Sequence, residues 1–335
     1  MNDALAVALA FGVSFAACGA LAWLARPLGL LDQPGGANAE RKLARTPVAL
    51  VGGLALGPAV LAAYLWLARY GDGPLPSFAG WIAGPRLAWI AMPSVDWRFL
   101  ALFAAFVVGW IDDATRDGLR VLPKLALQSI PAGIAGVPLA LDGHPLAGAA
   151  WFVAALWAMN AFNTFDNSDG AAGCLALVAF ALPLPALAAA CAGLLPWNLA
   201  QPGRATNGRK VYLGDAGSHL LGLALLFNPL AAPALLVPSL DLVRVSIVRM
   251  REGRKPWHGD LKHLAHRLRE RGMSAATTSA LLAAIASPAV VGAWESNRRH
   301  SATWALAGAA ATALVFLLVA ARVVSAPGES RRTGG

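Results

Sequence analysis

The chain has 335 residues, 57% of them apolar and only 13% charged, and its mean hydropathy is +0.57. A soluble domain carries about 25% charged residues and has no core able to absorb apolar residues along its whole length. That excludes a soluble enzyme or binding module and leaves a polytopic membrane protein. The net charge of +9 sits on short segments between apolar runs, which argues against nucleic acid as a partner.

Basic residues collect in Arg26–Arg45, Arg116–Lys124, Arg204–Lys210 and Arg244–Arg271 and after Arg322, whereas the alternate connections hold only Arg69, Arg86, Arg98, Arg298 and Arg299. Lys and Arg are retained in the cytoplasm, so the expected N-terminus is outside and the C-terminus inside. The first span, Ala4–Ala25, follows Asp3 and precedes Arg26, the pattern of an anchor rather than a cleaved signal. The next loop carries Leu31-Asp32-Gln33-Pro34 and Arg41-Lys42 and closes on Gly52-Gly53. Span two is Val51–Tyr70, followed by an external connection over Gly71–Asp96 with Trp81 and Trp89. Span three, Trp97–Ile111, ends in Asp112-Asp113. Span four, Pro123–Leu141, has Lys124 and Gln128 at its inner end, and span five is Leu146–Phe165.

Two awkward stretches follow. Gly173–Asn198 is broken by Pro183 and Pro185, and Gly217–Val248 by Pro229, Pro233 and Pro238. A full span takes about 20 residues, so each stretch is too long for one helix and too short for two ordinary ones. Two short helices in each would return every acidic motif to the same side. A cytoplasmic loop, Arg249–Arg271, then leads to spans over Ser274–Trp294 and Ala302–Val324. The expectation is an all-α membrane protein with about eleven transmembrane helices, four of them short. Residues 1–325 form one domain, and 326–335 a disordered tail.

The chemistry centres on Asn160–Gly173, where Asn160, Asn163, Asp166 and Asp169 recur every third residue. That spacing keeps neighbours on adjoining parts of one helix face. Turn chemistry accounts for Asp169 and Gly170 but leaves the other three unexplained. Membrane-embedded carboxylates usually face a cavity, a metal or a partner. Further polar clusters are Asp112-Asp113, Tyr212-Leu213-Gly214-Asp215-Ala216-Gly217-Ser218, and Asp260 with His263, His266 and Arg267. Hard oxygen ligands suit Mg²⁺, with Mn²⁺ as the alternative. Zinc between His263 and His266 lacks a third nitrogen or sulfur ligand. Cys18, Cys174 and Cys191 lie in apolar runs and read as core residues.

In this order the motifs Asp-Asp, Asn-x-x-Asn-x-x-Asp-x-x-Asp-Gly, Gly-Asp-x-Gly-Ser and Asp-x-x-His-x-x-His-Arg-Leu resemble the polyprenyl-phosphate N-acetylhexosamine-1-phosphate transferases, glycosyltransferase family 4. The retained Asp260 and separated His263 bring the chain nearest to the undecaprenyl-phosphate GlcNAc-1-phosphate transferase branch. The resemblance implies transfer of a sugar 1-phosphate from a UDP-N-acetylhexosamine to undecaprenyl phosphate at the cytoplasmic face of a bacterial inner membrane. Asp112 and Asp113 would then engage the lipid phosphate. Asp215 and Asn163 would hold Mg²⁺, Asp166 and Asp169 would line the nucleotide pocket, and Tyr212 would stack on uracil. Lys42 and His263 would contact phosphate or sugar, with His266 and Arg267 beside them. The implied partners are the two substrates and membrane lipid, with a homodimer as the assembly to test. The family pattern has His where this chain has Ala44 and Ala265, Gly where it has Asn167, and Leu where it has Ala171. Ala44 and Ala265 motivate one rival, a catalytically degenerate scaffold, and buried acids able to relay protons or cations motivate another, an ion-coupled transporter.

Overall fold

The structure, a computed structural model, describes residues 3–32, 47–70, 95–115, 118–200 and 210–325. Twelve α-helices lie among them: α1 (Asp3–Leu24), α2 (Gly52–Tyr70), α3 (Val95–Ala114), α4 (Val121–Leu141), α5 (Pro145–Phe165), α6 (Ala171–Phe180), α7 (Pro185–Asn198), α8 (Gly214–Leu226), α9 (Leu236–Arg251), α10 (Leu264–Glu270), α11 (Ala275–Arg299) and α12 (Ala302–Ser325). Five of these, α1, α4, α5, α11 and α12, are long and apolar enough to cross a membrane. Their outward faces carry large apolar side chains such as Leu141, Leu146, Val153 and Leu306, as lipid contact requires. The chain is an all-α membrane protein.

Both awkward stretches resolve into short helices. Pro183 falls in the turn between α6 and α7, and Pro185 starts α7, where its missing N–H costs nothing. At 1.5 Å per residue, α6 and α7 reach only about 15 and 21 Å. In the second stretch α8 is followed by a 3₁₀ turn, Ala232–Leu235, that runs into α9. The sequence reading missed a three-stranded sheet, β1 (Leu31–Asp32), β2 (Val48–Leu50) and β3 (Val211–Tyr212). β2 pairs antiparallel with β1 and parallel with β3, matching Ala49 to Val211. It fastens the loop after α1 to the segment that enters α8.

The fold is built around α8. Every residue from Ala216 to Leu225 is buried, among α2, α3, α5 and α6. Close approach at its N-terminal end depends on glycine. A Cβ at Gly53 would sit 2.9 Å from the Gly217 Cα, and one at Gly109 would meet the backbone of Asp215. The expected tail, 326–335, the external connection with Trp81 and Trp89, and Lys42 with Ala44 lie outside the described residues.

Candidate active site

The two acids at the end of α3 part ways. Asp113 accepts the amide N–H of Asp215 at 2.8 Å and that of Ala216 at 2.9 Å, one on each carboxylate oxygen. These first-turn amides of α8 have no partner within their own helix. Gly214, at φ +74°, makes the turn possible, because a Cβ there would lie 2.6 Å from Asp113 Oδ2. Asp112 is buried. It accepts the Leu119 N–H at 2.6 Å and an ammonium hydrogen bond from Lys124 at 3.0 Å.

Lys124, one turn into α4, is the hub of the cluster. Its ammonium bridges Asp112 and Asp215 and lies 3.5 Å from Asn163 Oδ1. Asn163 in turn donates to Asp215 Oδ1 at 2.8 Å and to Ser218 Oγ at 2.9 Å. Four helices, α3, α4, α5 and α8, therefore meet in one polar knot.

From the knot a cleft of about 2300 Å³ extends past Asp166, Asp169 and Tyr212 to His263 and His266. Asp166 caps the C-terminus of α5. Burial, and then the charges of Asp215, Asp169 and Asp113, push its carboxyl well above the usual range. Asp169 pairs with Lys210 at 2.5 Å, and Lys210 lies 5.5 Å from the Tyr212 ring centroid. Burial, with Asp169, Asp32 and Asp166 nearby, raises the Tyr212 phenol. Asn198 accepts from the Gly170 N–H at 2.5 Å and donates to the Val211 carbonyl at 2.8 Å, locking the acidic turn to β3.

At the far end, buried Arg249 grips Asp260 with both arms, at 2.9 and 3.0 Å, and donates to the Pro256 carbonyl at 2.7 Å. The His263 Nδ1 lies 2.8 Å from Asp241, whose other oxygen takes the Leu264 N–H and the Arg244 guanidinium. Burial alone would raise Asp260, but Arg249 and the Lys262 amide hold it below the usual range. His266 is buried on the cleft wall, and that burial, with His263 beside it, lowers its pKa to about 4. Arg267 is not in the cleft. It pairs with Glu270 on the exposed side of α10, and Arg269 lines the cleft instead.

The sequence profile of glycosyl transferase family 4 matches residues 97–232, the span that carries Asp112, Asp113, Lys124, Asn163, Asp166, Asp169 and Asp215. The chain is similar to that family over this span. It is 26% identical over 275 residues to the undecaprenyl-phosphate alpha-N-acetylglucosaminyl 1-phosphate transferase of Yersinia pestis, covering 74% of this chain and 71% of the relative. The Escherichia coli K12 protein of the same description is 30% identical over 147 residues, 36% of this chain and 40% of that protein. The decaprenyl-phosphate N-acetylglucosaminephosphotransferase of Mycobacterium tuberculosis is 28% identical over 326 residues, 78% and 74% of the two chains.

Within this site Asp112, Asp113, Asn163 and Asp215 stand together, with Asp166, Asp169 and Tyr212 along the cleft and His263 and His266 at its end. Lys124 was passed over in the sequence because a lysine at a span end ordinarily snorkels to water. Its only signal was Gln128 one turn further into an otherwise apolar segment. Among the described residues no three His, Cys, Asp or Glu side chains converge as a metal cage. The oxygens of Asp112, Asp215 and Asn163 nevertheless surround one cation, the Lys124 ammonium. An all-oxygen set with two carboxylates fits Mg²⁺, which completes its shell with water and substrate phosphate.

Proposed function

We propose that this protein is a member of glycosyl transferase family 4 and transfers N-acetylglucosamine 1-phosphate from its UDP derivative to undecaprenyl phosphate, at the cytoplasmic face of a bacterial inner membrane, to begin a cell-envelope glycan. The observation that carries the reading is the meeting of Asp112, Asp113, Lys124, Asn163 and Asp215 at the head of a cleft of about 2300 Å³, ample volume for a nucleotide sugar. A lipid-phosphate oxygen attacks the β-phosphorus of the donor. The bond from that phosphorus to the oxygen bridging the two phosphates breaks, and UMP leaves with that oxygen. One phosphoanhydride is exchanged for another, so the protein's task is positioning and charge neutralisation.

The residues divide that task. Lys124 offsets the charge of the two approaching phosphates, and Asp112 orients the lipid phosphate through the same ammonium. Asp166, whose carboxyl burial and the neighbouring acids push towards the protonated form, lines the path of the donor with less repulsion than a free carboxylate would bring. Tyr212 supplies a face for uracil, and Arg249 with His263 meets the sugar phosphate. Asp215, Asn163 and Asp112 would hold Mg²⁺, which when bound supplies charge neutralisation on the diphosphate. Carboxylates gathered at one end, rather than spread through the membrane depth, favour this reading over an ion-coupled transporter.

The test is extraction of ³²P-labelled lipid by chloroform from purified protein given β-labelled UDP-GlcNAc, undecaprenyl phosphate and Mg²⁺. Label should appear, and should vanish in Asp215→Asn. No label with any UDP-N-acetylhexosamine in a donor panel would overturn the reading and favour a scaffold. Label that needs no divalent ion would overturn the metal assignment alone.

A further inference from the structure

Behind the reacting residues lies a second polar layer, of which only Asn160 reaches the cleft wall while Gln128 and His219 do not line it. Gln128 and His219 are both fully buried. The Asn160 Nδ2 donates to Gln128 Oε1 at 2.9 Å and to the Leu156 carbonyl at 2.8 Å. The Gln128 Nε2 lies 2.9 Å from His219 Nε2. With its oxygen taken by Asn160, Gln128 presents its N–H groups to the imidazole. His219 Nε2 is then the acceptor, and the ring proton sits on Nδ1.

The register of this layer is its informative feature. Gln128 stands four residues after Lys124 on α4, His219 four after Asp215 on α8, and Asn160 three before Asn163 on α5. Residues three or four apart share a helix face one turn apart. Each residue of the upper layer, Lys124, Asn163 and Asp215, therefore has its own counterpart below it on the same helix.

We propose that Gln128, Asn160 and His219 are positioning residues that set the rotation of α4, α5 and α8 against one another, and so hold Lys124, Asn163 and Asp215 in reactive register. An apolar interface alone would allow these helices to slide by fractions of an ångström. Directional hydrogen bonds between amide and imidazole define one setting, and buried polar groups that lose their partners are costly. The layer thereby converts packing of three helices into the geometry of Asp215. This inference rests on the transfer reading for its kinetic arm but not for its spectroscopic one.

The experiment compares Gln128→Leu, His219→Leu, the double variant and the conservative His219→Gln in the full-length protein. Each single variant should lower kcat about 10- to 100-fold, the range for a misplacement of order 1 Å, with KM for both substrates little changed. The double variant should melt closer to the parent than either single one, because the amide and imidazole no longer orphan each other and the Asn160 N–H that Gln128 leaves behind faces the cleft, where water can take it, yet should keep the low kcat. His219→Gln, which can still accept from Gln128, should regain most of it. In protein labelled with ¹⁵N-lysine, the Lys124 ammonium resonance should move in both leucine variants. Parental kcat in the leucine variants, or a kcat that simply follows melting temperature, would overturn the positioning role. If the parent itself makes no labelled lipid, the transfer reading fails, and an unmoved Lys124 resonance would then overturn this inference on its own.

Discussion

The strongest quantitative consequence concerns Asp113. Its two oxygens are both used by α8 amides, at 2.8 and 2.9 Å, so it acts by seating the helix that carries Asp215. In Asp113→Asn one amide keeps an oxygen acceptor, while the other N–H faces an NH₂ group that cannot accept. The loss comprises one hydrogen bond to a charged group, about 1.5–3 kcal/mol, and a carboxylate at a helix N-terminus, ~0.3–1 kcal/mol. Removing a desolvated charge gives some of this back, so the net cost is about 1–3 kcal/mol. Asp113→Ala orphans both amides and should cost more. Chemical denaturation of the purified protein in detergent micelles, followed by intrinsic fluorescence, measures the difference. Activity should fall further than stability, because a displaced α8 moves Asp215 away from Lys124 and Asn163. A substitution to Asn that unfolds with the parent and keeps its transfer rate would refute the capping argument.

Three other outcomes are expected. Lys124→Met removes the cation between Asp112 and Asp215 and should lower kcat by about 10²–10³-fold, the scale for losing one electrostatic stabiliser, read as initial rates of lipid labelling. Arg249→Lys should not rescue Arg249→Ala, since an ammonium cannot reproduce the two-armed grip on Asp260 or reach the Pro256 carbonyl; equal loss in both variants, with faster tryptic cleavage of the 252–262 loop, is the expected pattern. The pKa of His266 is depressed to about 4 from the usual value near 6.5. The unfolded chain thus binds the extra proton first, and stability should fall as pH drops from 7 towards 4. His266→Gln should flatten that slope in melting curves.

Much of the architecture was legible because the membrane fixes a length. An apolar stretch broken by Pro183 and Pro185 cannot make two full spans, and that arithmetic alone returned Asp215 to the side of Asp112. Other features were not legible, for reasons that are physical. Strands of two or three residues, such as Val48–Leu50 against Val211–Tyr212, have too few positions to show a period. The choice between Arg267 and Arg269 is one of helix phase, and a seven-residue helix gives too little pattern to set it. Asp113 as a helix cap joins residues far apart in sequence, which no local motif encodes. Lys124 needed the third dimension, since a lysine at a span end has water as an ordinary alternative.

How five carboxylates persist beside a membrane follows from how each is handled. Asp113 faces amides at a helix N-terminus, which carries about half a positive charge. Asp169 has its own lysine, Lys210. Asp166 is pushed towards its protonated form by burial and by its neighbours. That leaves Asp112 and Asp215, which share a single ammonium and so retain one negative charge between them. Asp112, Asp215 and Asn163 are the groups that would hold a divalent ion, which when bound would supply the charge neutralisation that the Lys124 ammonium gives them here. Lys124 and such an ion would draw on the same oxygens, so Lys124→Met should tighten Mg²⁺ binding and weaken that of the phosphate substrates in calorimetric titrations, and unchanged affinities for both would refute the shared use of these carboxylates.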